Sequence, residues 1–148
     1  MAGIHLTLDT RGLDKLQARI HGLAGMDTRT LMPRLGEYLQ ASTQERFATQ
    51  TAPDGSAWDA LAPRTLERKK HNRDKVLTAR GFLRRGIRYQ VLDKSTVQVG
   101  TDSVYAATHQ YGRDEANIPA RPFLGLSSAD RREITAIIRD WASELGFK

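Results

Sequence analysis

The sequence predicts an α+β domain, in which N-terminal helices and a C-terminal helix pack on a small, mostly antiparallel β-sheet. Two observations point to this fold class. Apolar and polar residues alternate near the N-terminus and in two runs between residues 87 and 99, which is the spacing of half-buried strands. In three other stretches apolar residues recur every three or four positions, as on one face of a helix. A length of 148 residues suits a single core, so we expect residues 1-148 to form one domain with long loops near 51-63 and 112-122.

The N-terminal segment should contain one strand and two helices. Ile4, Leu6 and Leu8 alternate with polar residues, which predicts a short strand. Helical spacing predicts a first helix with the apolar positions Leu13, Leu16, Ile20 and Leu23. It predicts a second helix with the apolar positions Leu31, Leu35, Tyr38, Leu39 and Phe47. Asp27 or Thr30 is available as the cap of the second helix, whose regular part should start close to Pro33, since proline is tolerated only near the first turn.

Residues 51 to 63 should form a long surface loop. The run from Pro53 to Ser56 (PDGS) favours a turn, because proline presets φ and glycine admits positive φ. Trp58 has two interpretations: it folds the loop onto its own domain, or it inserts into a neighbouring molecule, where tryptophan often dominates the binding energy. The highly charged residues 65 to 75 are either a solvated helix or a segment that a partner orders.

Two short helices are predicted on either side of a β-hairpin. One spans Leu77 to Arg85, with Thr78 as its cap and with Phe82 and Leu83 turned inward. The other consists of one or two turns between residues 104 and 111.

The register of the hairpin follows from its apolar residues. Residues directly opposite each other in a ladder project to the same side of the sheet, so apolar positions should face apolar positions. A two-residue turn pairs Val91 and Tyr89 with polar residues. A three-residue loop at residues 93 to 95 pairs Val91 with Val97 and Tyr89 with Val99, and we therefore predict the three-residue loop.

The C-terminal part should consist of a proline-bounded loop and one long helix. Residues 118 to 124 contain two prolines, which lack ladder donors, so this run is an extended edge or a docking arm and not a central strand. Ser127 or Ser128 should cap the last helix. Its apolar face, which we expect to pack on the sheet, consists of Ile134, Ile137, Ile138, Trp141 and Leu145.

Positive charge is concentrated in the middle of the chain. The net charge is +6, but residues 64 to 88 alone carry ten basic and two acidic side chains. Such a cluster attracts polyanions or acidic protein surfaces, although a merely solvated face is an equal alternative. Sequence-specific nucleic-acid recognition is disfavoured, because no aromatic residue for base stacking lies between Arg64 and Arg80. The candidates for contact with a polyanion or an acidic partner are Arg68, Lys69, Lys70, Arg73, Lys75, Arg84 and Arg85.

No pattern for catalysis or metal binding is visible. The four histidines lie far apart and none has a metal-ligand spacing, while no glycine-rich phosphate loop or nucleophile elbow follows a strand. The absence of cysteine excludes disulfides and thiolate chemistry. No apolar run approaches the roughly 20 residues of a membrane-spanning helix. We therefore expect a protein that is not an enzyme and does not enter a membrane.

Several short segments follow one another in a distinctive order and spacing after the first helices. They are Phe47, the run PDGSAW from Pro53 to Trp58, Leu61, Thr65, Leu77-Thr78, Gly81-Phe82-Leu83, VQVGT from Val97 to Thr101, YAATHQYG from Tyr105 to Gly112, and IPARPFLGL from Ile118 to Leu126. Together they resemble the phage virion-morphogenesis family, the tail-completion proteins of Mu-like contractile-tailed phages. The likeness covers nearly the whole chain after the first helices.

The resemblance implies a subunit, without a cofactor, that closes the assembled phage tail and prepares it for joining to the filled head. The expected partners are copies of the chain itself in a ring, expected to be a hexamer, together with tail tube or sheath proteins and head-tail connector proteins. The expected location is the tail-neck region of the virion, after assembly in the host cytoplasm. The alternative is a non-specific nucleic-acid-binding module that uses residues 64 to 88. The candidates for subunit contact are Trp58, Tyr105, His109, Tyr111, Pro119, Arg121, Pro122 and Phe123.

Overall fold

A computed structural model describes residues 3–9, 28–78 and 80–146. The helices and strands of these residues are, in chain order, β1 (Ile4–Asp9), α1 (Leu31–Thr49), α2 (Pro63–Arg68), α3 (Phe82–Arg85), β2 (Arg88–Asp93), β3 (Thr96–Thr101), α4 (Ala106–Tyr111) and α5 (Ser128–Glu144). Short 3-10 turns precede α1 and follow α4. The α+β class is confirmed, whereas the predicted first helix at residues 13 to 23 lies outside the described residues.

The three strands form an antiparallel sheet in the order β1-β3-β2. The predicted pairs Val91–Val97 and Tyr89–Val99 are confirmed. The predicted three-residue loop is wrong, because Asp93 pairs with Thr96 and only two residues lie between the strands. A β-bulge between Val91 and Asp93 places the extra residue in β2 rather than in the turn. The apolar residues therefore keep the predicted register, and the turn has two residues.

Helix α1 packs against the sheet and forms the centre of the core. Leu35 of α1 and Val97 and Val99 of β3 are almost completely buried. Gly36 allows the close approach of the two layers, because a Cβ atom at this position would lie 2.3 Å from Cδ2 of Tyr89. Any larger residue at this position would therefore push the helix away from β2.

Helix α5 packs mainly against α1, which lies between it and the sheet. The expectation that α5 packs on the sheet is therefore wrong; its amphipathic pattern shows which face is buried but not what covers that face. Trp141 is buried and its Nε1 donates a hydrogen bond of 3.1 Å to Oγ1 of Thr30. Leu145 was expected on the buried face, but it follows the last turn and is exposed. None of the described helices is long and apolar enough to cross a membrane.

The segment between α1 and the hairpin is less helical than the sequence suggests. The helix expected from Leu77 to Arg85 is only the four residues of α3, because Leu77 (φ 57°) and Gly81 (φ 72°) adopt left-handed conformations that interrupt it. The hydroxyl of Thr78 donates to the carbonyl of Val76 and caps no helix. Leu83 is buried as predicted, whereas Phe82 is 59% exposed and does not turn inward.

Candidate functional site

The two long loops predicted from the sequence meet and hold each other in place. Nε1 of Trp58 donates a 2.8 Å hydrogen bond to the carbonyl of Pro122. The guanidinium of Arg121 donates from Nε to the carbonyl of Asp59 (2.8 Å) and from Nη2 to that of Ala60 (2.9 Å). We call the surface that residues 51–62 and 112–122 form together the two-loop face. Its shape is fixed by bonds within the chain.

Aromatic packing beneath the two-loop face explains the position of Trp58. Its ring meets the ring of Phe47 edge-on, with centroids 5.4 Å apart, and Phe47 also contacts Phe123 at 5.6 Å. Trp58 and Phe123 are both buried, so the first interpretation of Trp58 holds: it folds the loop onto its own domain. Aromatic pairs of this kind stabilise a core by about 0.5 to 1.5 kcal/mol beyond the burial of their surface.

Gln50 connects two segments to the C-terminal end of α1: the loop that contains Trp58 and the segment from Asp74 to Val76. It adopts a left-handed conformation (φ 55°) as the cap of this helix, and its carbonyl accepts a 2.8 Å hydrogen bond from the backbone N–H of Trp58. Its side chain bridges the next segment, donating to the carbonyl of Asp74 (3.1 Å) and accepting from the N–H of Val76 (2.8 Å). Gln50 was not predicted as a site residue, because the sequence does not distinguish a glutamine whose main chain and side chain bind different segments from any other glutamine.

Gln110 of α4 holds the proline-containing arm, residues 118 to 124. Its Oε1 accepts hydrogen bonds from the N–H groups of Phe123 (3.1 Å) and Leu124 (3.0 Å), and its Nε2 donates to the carbonyl of Leu124 (3.0 Å). The N–H of Arg121 donates to the carbonyl of His109 at 2.7 Å. The arm therefore docks along α4 as an extended segment outside the sheet.

A groove of about 600 Å³ lies beside the two-loop face, between α2, α3 and α4. Most of its wall is apolar and comes from Leu61, Leu77, Phe82, Leu83, Tyr105, Ile118 and Pro119. Four cationic side chains also line it: Arg68, Lys69, Arg80 and Arg121. The groove thus brings part of the basic segment together with part of the predicted subunit-contact set, a combination that the linear sequence does not reveal.

The cations of the groove form no ion pair within the described part of the chain. None of the four lies within 4.0 Å of an Asp or Glu oxygen among the described residues. Burial lowers the pKa of Arg121, partly opposed by the charge of Asp59, but arginine stays charged at neutral pH. Burial also lowers the pKa of Lys69, partly opposed by Asp74, and the Lys69 ammonium donates to the carbonyl of Lys75. The groove wall therefore carries positive charge that nearby backbone oxygens and the more distant carboxylates of Asp59 and Asp74 offset only in part.

His109 lies on the same wall and is half-buried. Burial lowers its pKa, and the positive charge of Arg121 lowers it further. Its ring meets that of Tyr105 edge-on with centroids 5.8 Å apart. Its Nδ1 is buried and has no hydrogen-bond partner among the described residues. A polar atom of this kind is a site at which a bound molecule can donate or accept a hydrogen bond.

The exposed members of the subunit-contact set lie on α4 or next to its first residue. Tyr111 is 73% exposed and Tyr105 is 44% exposed, and Val104 beside them is 75% exposed. Pro119 and Pro122 are half-buried. Trp58, Arg121 and Phe123 make contacts within the chain, and for the whole set of eight residues the subunit contact stays a prediction.

The remaining basic candidates do not line the groove. Lys70, Arg73 and Arg85 are exposed, while Lys75 and Arg84 are partly buried. The guanidinium of Arg85 lies over the ring of Phe82, 5.2 Å from its centroid, and donates a 2.7 Å hydrogen bond to the carbonyl of Arg80. Within the ranges that the structure describes, no cluster of three or more His, Asp or Glu side chains is arranged to hold a metal ion. The groove and the two-loop face offer apolar contact and positive charge.

Comparison with known proteins gives one consistent result. The sequence model of the phage virion morphogenesis family matches residues 8–143. Protein G of Escherichia phage Mu, named for capsid assembly, is 29% identical over 147 residues, 92% of each chain. The tail completion protein S of Escherichia phage P2 is 34% identical over 142 residues, 84% of this chain and 91% of the relative. The Mu-like prophage FluMu G protein 1 of Haemophilus influenzae is 31% identical over 128 residues, 81% of this chain and 83% of the relative. No solved structure matches the chain significantly.

Proposed function

Because the chain belongs to the phage virion morphogenesis family, we propose that it completes the phage tail and enables the tail to join the head, as one subunit of a homo-oligomeric ring. A role as a structural protein of the tail or virion follows from the family and from the relatives named for tail completion and capsid assembly. The ring, its place at the neck and its assembly in the host cytoplasm are the proposed part. Its further partners are tail tube or sheath proteins and head-tail connector proteins, and the proposed copy number is six.

The observation that carries the proposal is the exposed apolar surface beside a rigid two-loop face. Val104, Tyr105 and Tyr111 present large apolar groups to solvent although the chain has a well-packed core elsewhere. Clustered exposed apolar side chains are typical of protein interfaces, and tyrosine is enriched at their energetic centres. Because internal hydrogen bonds already order both loops, a neighbouring subunit would bind them with little loss of conformational entropy.

A ring requires that this surface meets a different surface on the next copy. Contacts between unlike surfaces of identical subunits close into a ring when the rotation per subunit divides a full turn. The proposal therefore assigns the two-loop end of the molecule to one side of the ring contact.

Mass photometry and electron microscopy of the purified protein, with and without tail tubes, test this function. We expect rings in solution or on the tube ends. Replacing both Val104 and Tyr111 by serine should convert the rings to monomers, whereas the matched change Leu92→Ser, at an exposed apolar residue on the hairpin bulge, should leave them intact. The proposal would be contradicted if the wild-type protein stays monomeric and does not bind tail tubes.

Non-specific nucleic-acid binding is the second candidate function. It is favoured by the exposure of Arg68, Lys70 and Arg73, which leaves their charges free to meet phosphates. Duplex-DNA affinity measured across salt concentrations tests it, because each neutralised phosphate steepens the salt dependence. Tight binding with a steep slope that is lost when Lys69, Lys70 and Arg73 are changed to alanine would support this function over the first.

A further inference from the structure

We propose that the groove between α2, α3 and α4 binds a segment of another virion protein, one that combines acidic side chains with apolar anchoring residues. This inference rests on the proposed structural role, because it takes the partner to be a second virion component. It assigns to the groove a ligand of stated chemistry, and the two residues that test the ring contact, Val104 and Tyr111, do not line the groove.

The groove has the size and the preformed walls of a binding site. Its volume of about 600 Å³ lies within the range of roughly 300 to 1,000 Å³ that is typical of ligand sites, and its walls are mostly apolar. Leu77, on its wall, has a left-handed backbone (φ 57°), which is uncommon for a residue other than glycine. Such conformations persist where surrounding structure imposes them and are concentrated at binding sites. Apolar side chains of a partner would fit between Leu61, Phe82 and Ile118.

The charge of the groove selects an anionic occupant. Arg68, Lys69, Arg80 and Arg121 line it, no acidic residue does, and none of the four forms an ion pair among the described residues. Arg121 is 6% exposed and its bonds go to the neutral carbonyls of Asp59 and Ala60. A carboxylate placed over Arg68 and Arg80 would gain charge-assisted hydrogen bonds that the free protein lacks. A basic segment would meet uncompensated positive charge.

The net charge of the chain argues for a different protein rather than a second copy. Each copy carries +6, so two copies repel each other at long range, and three of the four groove cations belong to residues 64 to 88, whose ten basic and two acidic side chains sum to +8. An acidic partner is attracted by the same field and associates faster. Aliphatic side chains form much of the wall, which suits apolar side chains of a protein better than stacked bases.

Fluorescence anisotropy with three short labelled peptides tests the inference. The first peptide alternates leucine and phenylalanine with glutamate and aspartate, the second keeps the apolar residues but carries lysine at the acidic positions, and the third keeps the acids but carries serine at the apolar positions. We expect the first peptide to bind at least about tenfold more tightly than either of the others. Absence of binding, or equal binding of the lysine peptide, would overturn the proposal.

Variants locate the binding on the groove. Phe82→Ser and Arg80→Glu should each weaken binding of the acidic peptide by about tenfold, because they remove an exposed apolar wall and a cation. The matched controls are Leu92→Ser and Arg139→Glu, an exposed apolar residue and an exposed arginine that do not line the groove. If Arg139→Glu weakens binding as much as Arg80→Glu, net charge alone explains the affinity and the groove has no role. Circular dichroism melting confirms that each variant is folded.

Two further measurements separate this inference from other outcomes. Mass photometry of Phe82→Ser and Arg80→Glu should show the oligomer of the wild-type protein, so loss of peptide binding and loss of the ring are distinguishable. Short duplex DNA is added as a competitor. If DNA displaces the peptide and its own affinity depends on Arg80 but not on Phe82, the groove edge is a phosphate site and the proposal is wrong.

Discussion

At the scale of single residues, Asp130 joins the start of α5 to α1 while it is almost completely buried. Its carboxylate accepts hydrogen bonds from Tyr38 Oη, Ser42 Oγ, the Arg46 guanidinium and the Ser127 N–H. We predict that Asp130→Asn, which keeps the size but removes the charge, lowers the free energy of unfolding by about 3 to 5 kcal/mol, since buried Arg46 loses its counter-charge. Urea unfolding at neutral pH measures this change.

The matched control for Asp130→Asn is Glu144→Gln. Glu144 also forms a two-bond pair with an arginine, Arg34, at 2.9 and 2.8 Å, but that pair is exposed to solvent. Solvent screens such pairs, so Glu144→Gln should change the stability little. Equal losses in the two variants would show that burial does not decide the effect.

Asp130 and its hydrogen-bond partners also make the stability of the fold depend on pH. Burial alone would raise the pKa of Asp130, but the hydrogen bonds from Ser42, Ser127 and Tyr38 and the charge of Arg46 together lower it. The Asp130 carboxylate therefore stabilises the fold fully above the ordinary carboxyl pKa, near 3.9. This stabilisation is lost as the pH falls through the lower pKa of the folded protein. On the alkaline side, burial and then the bond to Asp130 raise the pKa of Tyr38 to about 12.

We predict an alkaline loss of stability that depends on Tyr38. Since the folded pKa lies above the ordinary tyrosine value of about 10, the Tyr38 contribution is complete below pH 10 and is lost as the pH rises towards about 12. Urea midpoints measured between pH 9 and 12 for the wild type and Tyr38→Phe test this. The difference between the two proteins should shrink across that range, and a constant difference would contradict the assignment.

At the scale of elements, Gln110 decides how firmly α4 holds the proline-containing arm. We predict that Gln110→Ala leaves the backbone groups of Phe123 and Leu124 without partners, which costs about 1 to 3 kcal/mol for each buried group that stays unpaired. Hydrogen exchange should accelerate at these two amides before it changes in β3. In Gln98→Ala, where the lost bond reaches Thr7 at the surface, the exchange of the arm should be unchanged.

The elements also show what the sequence can and cannot predict. The hairpin register was predictable because apolar faces must match, but the bulge was not, because Leu92 is exposed and no pattern marks it. The length of α3 was overestimated because apolar spacing cannot reveal the left-handed backbone of Leu77 and Gly81. Both long loops were predictable from their prolines and glycines. Their mutual bonds were not, because the acceptors are backbone carbonyls that every residue carries.

At the scale of the whole molecule, apolar and charged contacts lie next to each other at the end of α1 that carries Gln50. The sheet covers one side of α1 and α5 covers another, so the loops that project from this end form the two-loop face and one wall of the groove. Exposed apolar residues lie on and next to α4, which leads into one of these loops, and cations line the groove. The proposed ring contact is therefore mainly apolar, and the proposed groove contact is partly ionic.

This difference leads to a prediction about salt. Salt shortens the range of electrostatic interactions, from about 10 Å at 0.1 M to about 3 Å at 1 M, but it does not weaken the burial of apolar surface. Raising sodium chloride over this range should leave the ring population unchanged or increase it, because the repulsion between copies of charge +6 is screened. The same change should weaken binding of the acidic peptide severalfold. Mass photometry and anisotropy on one preparation measure both, and rings that dissociate in high salt would show that ionic contacts, not Val104 and Tyr111, hold the subunits together.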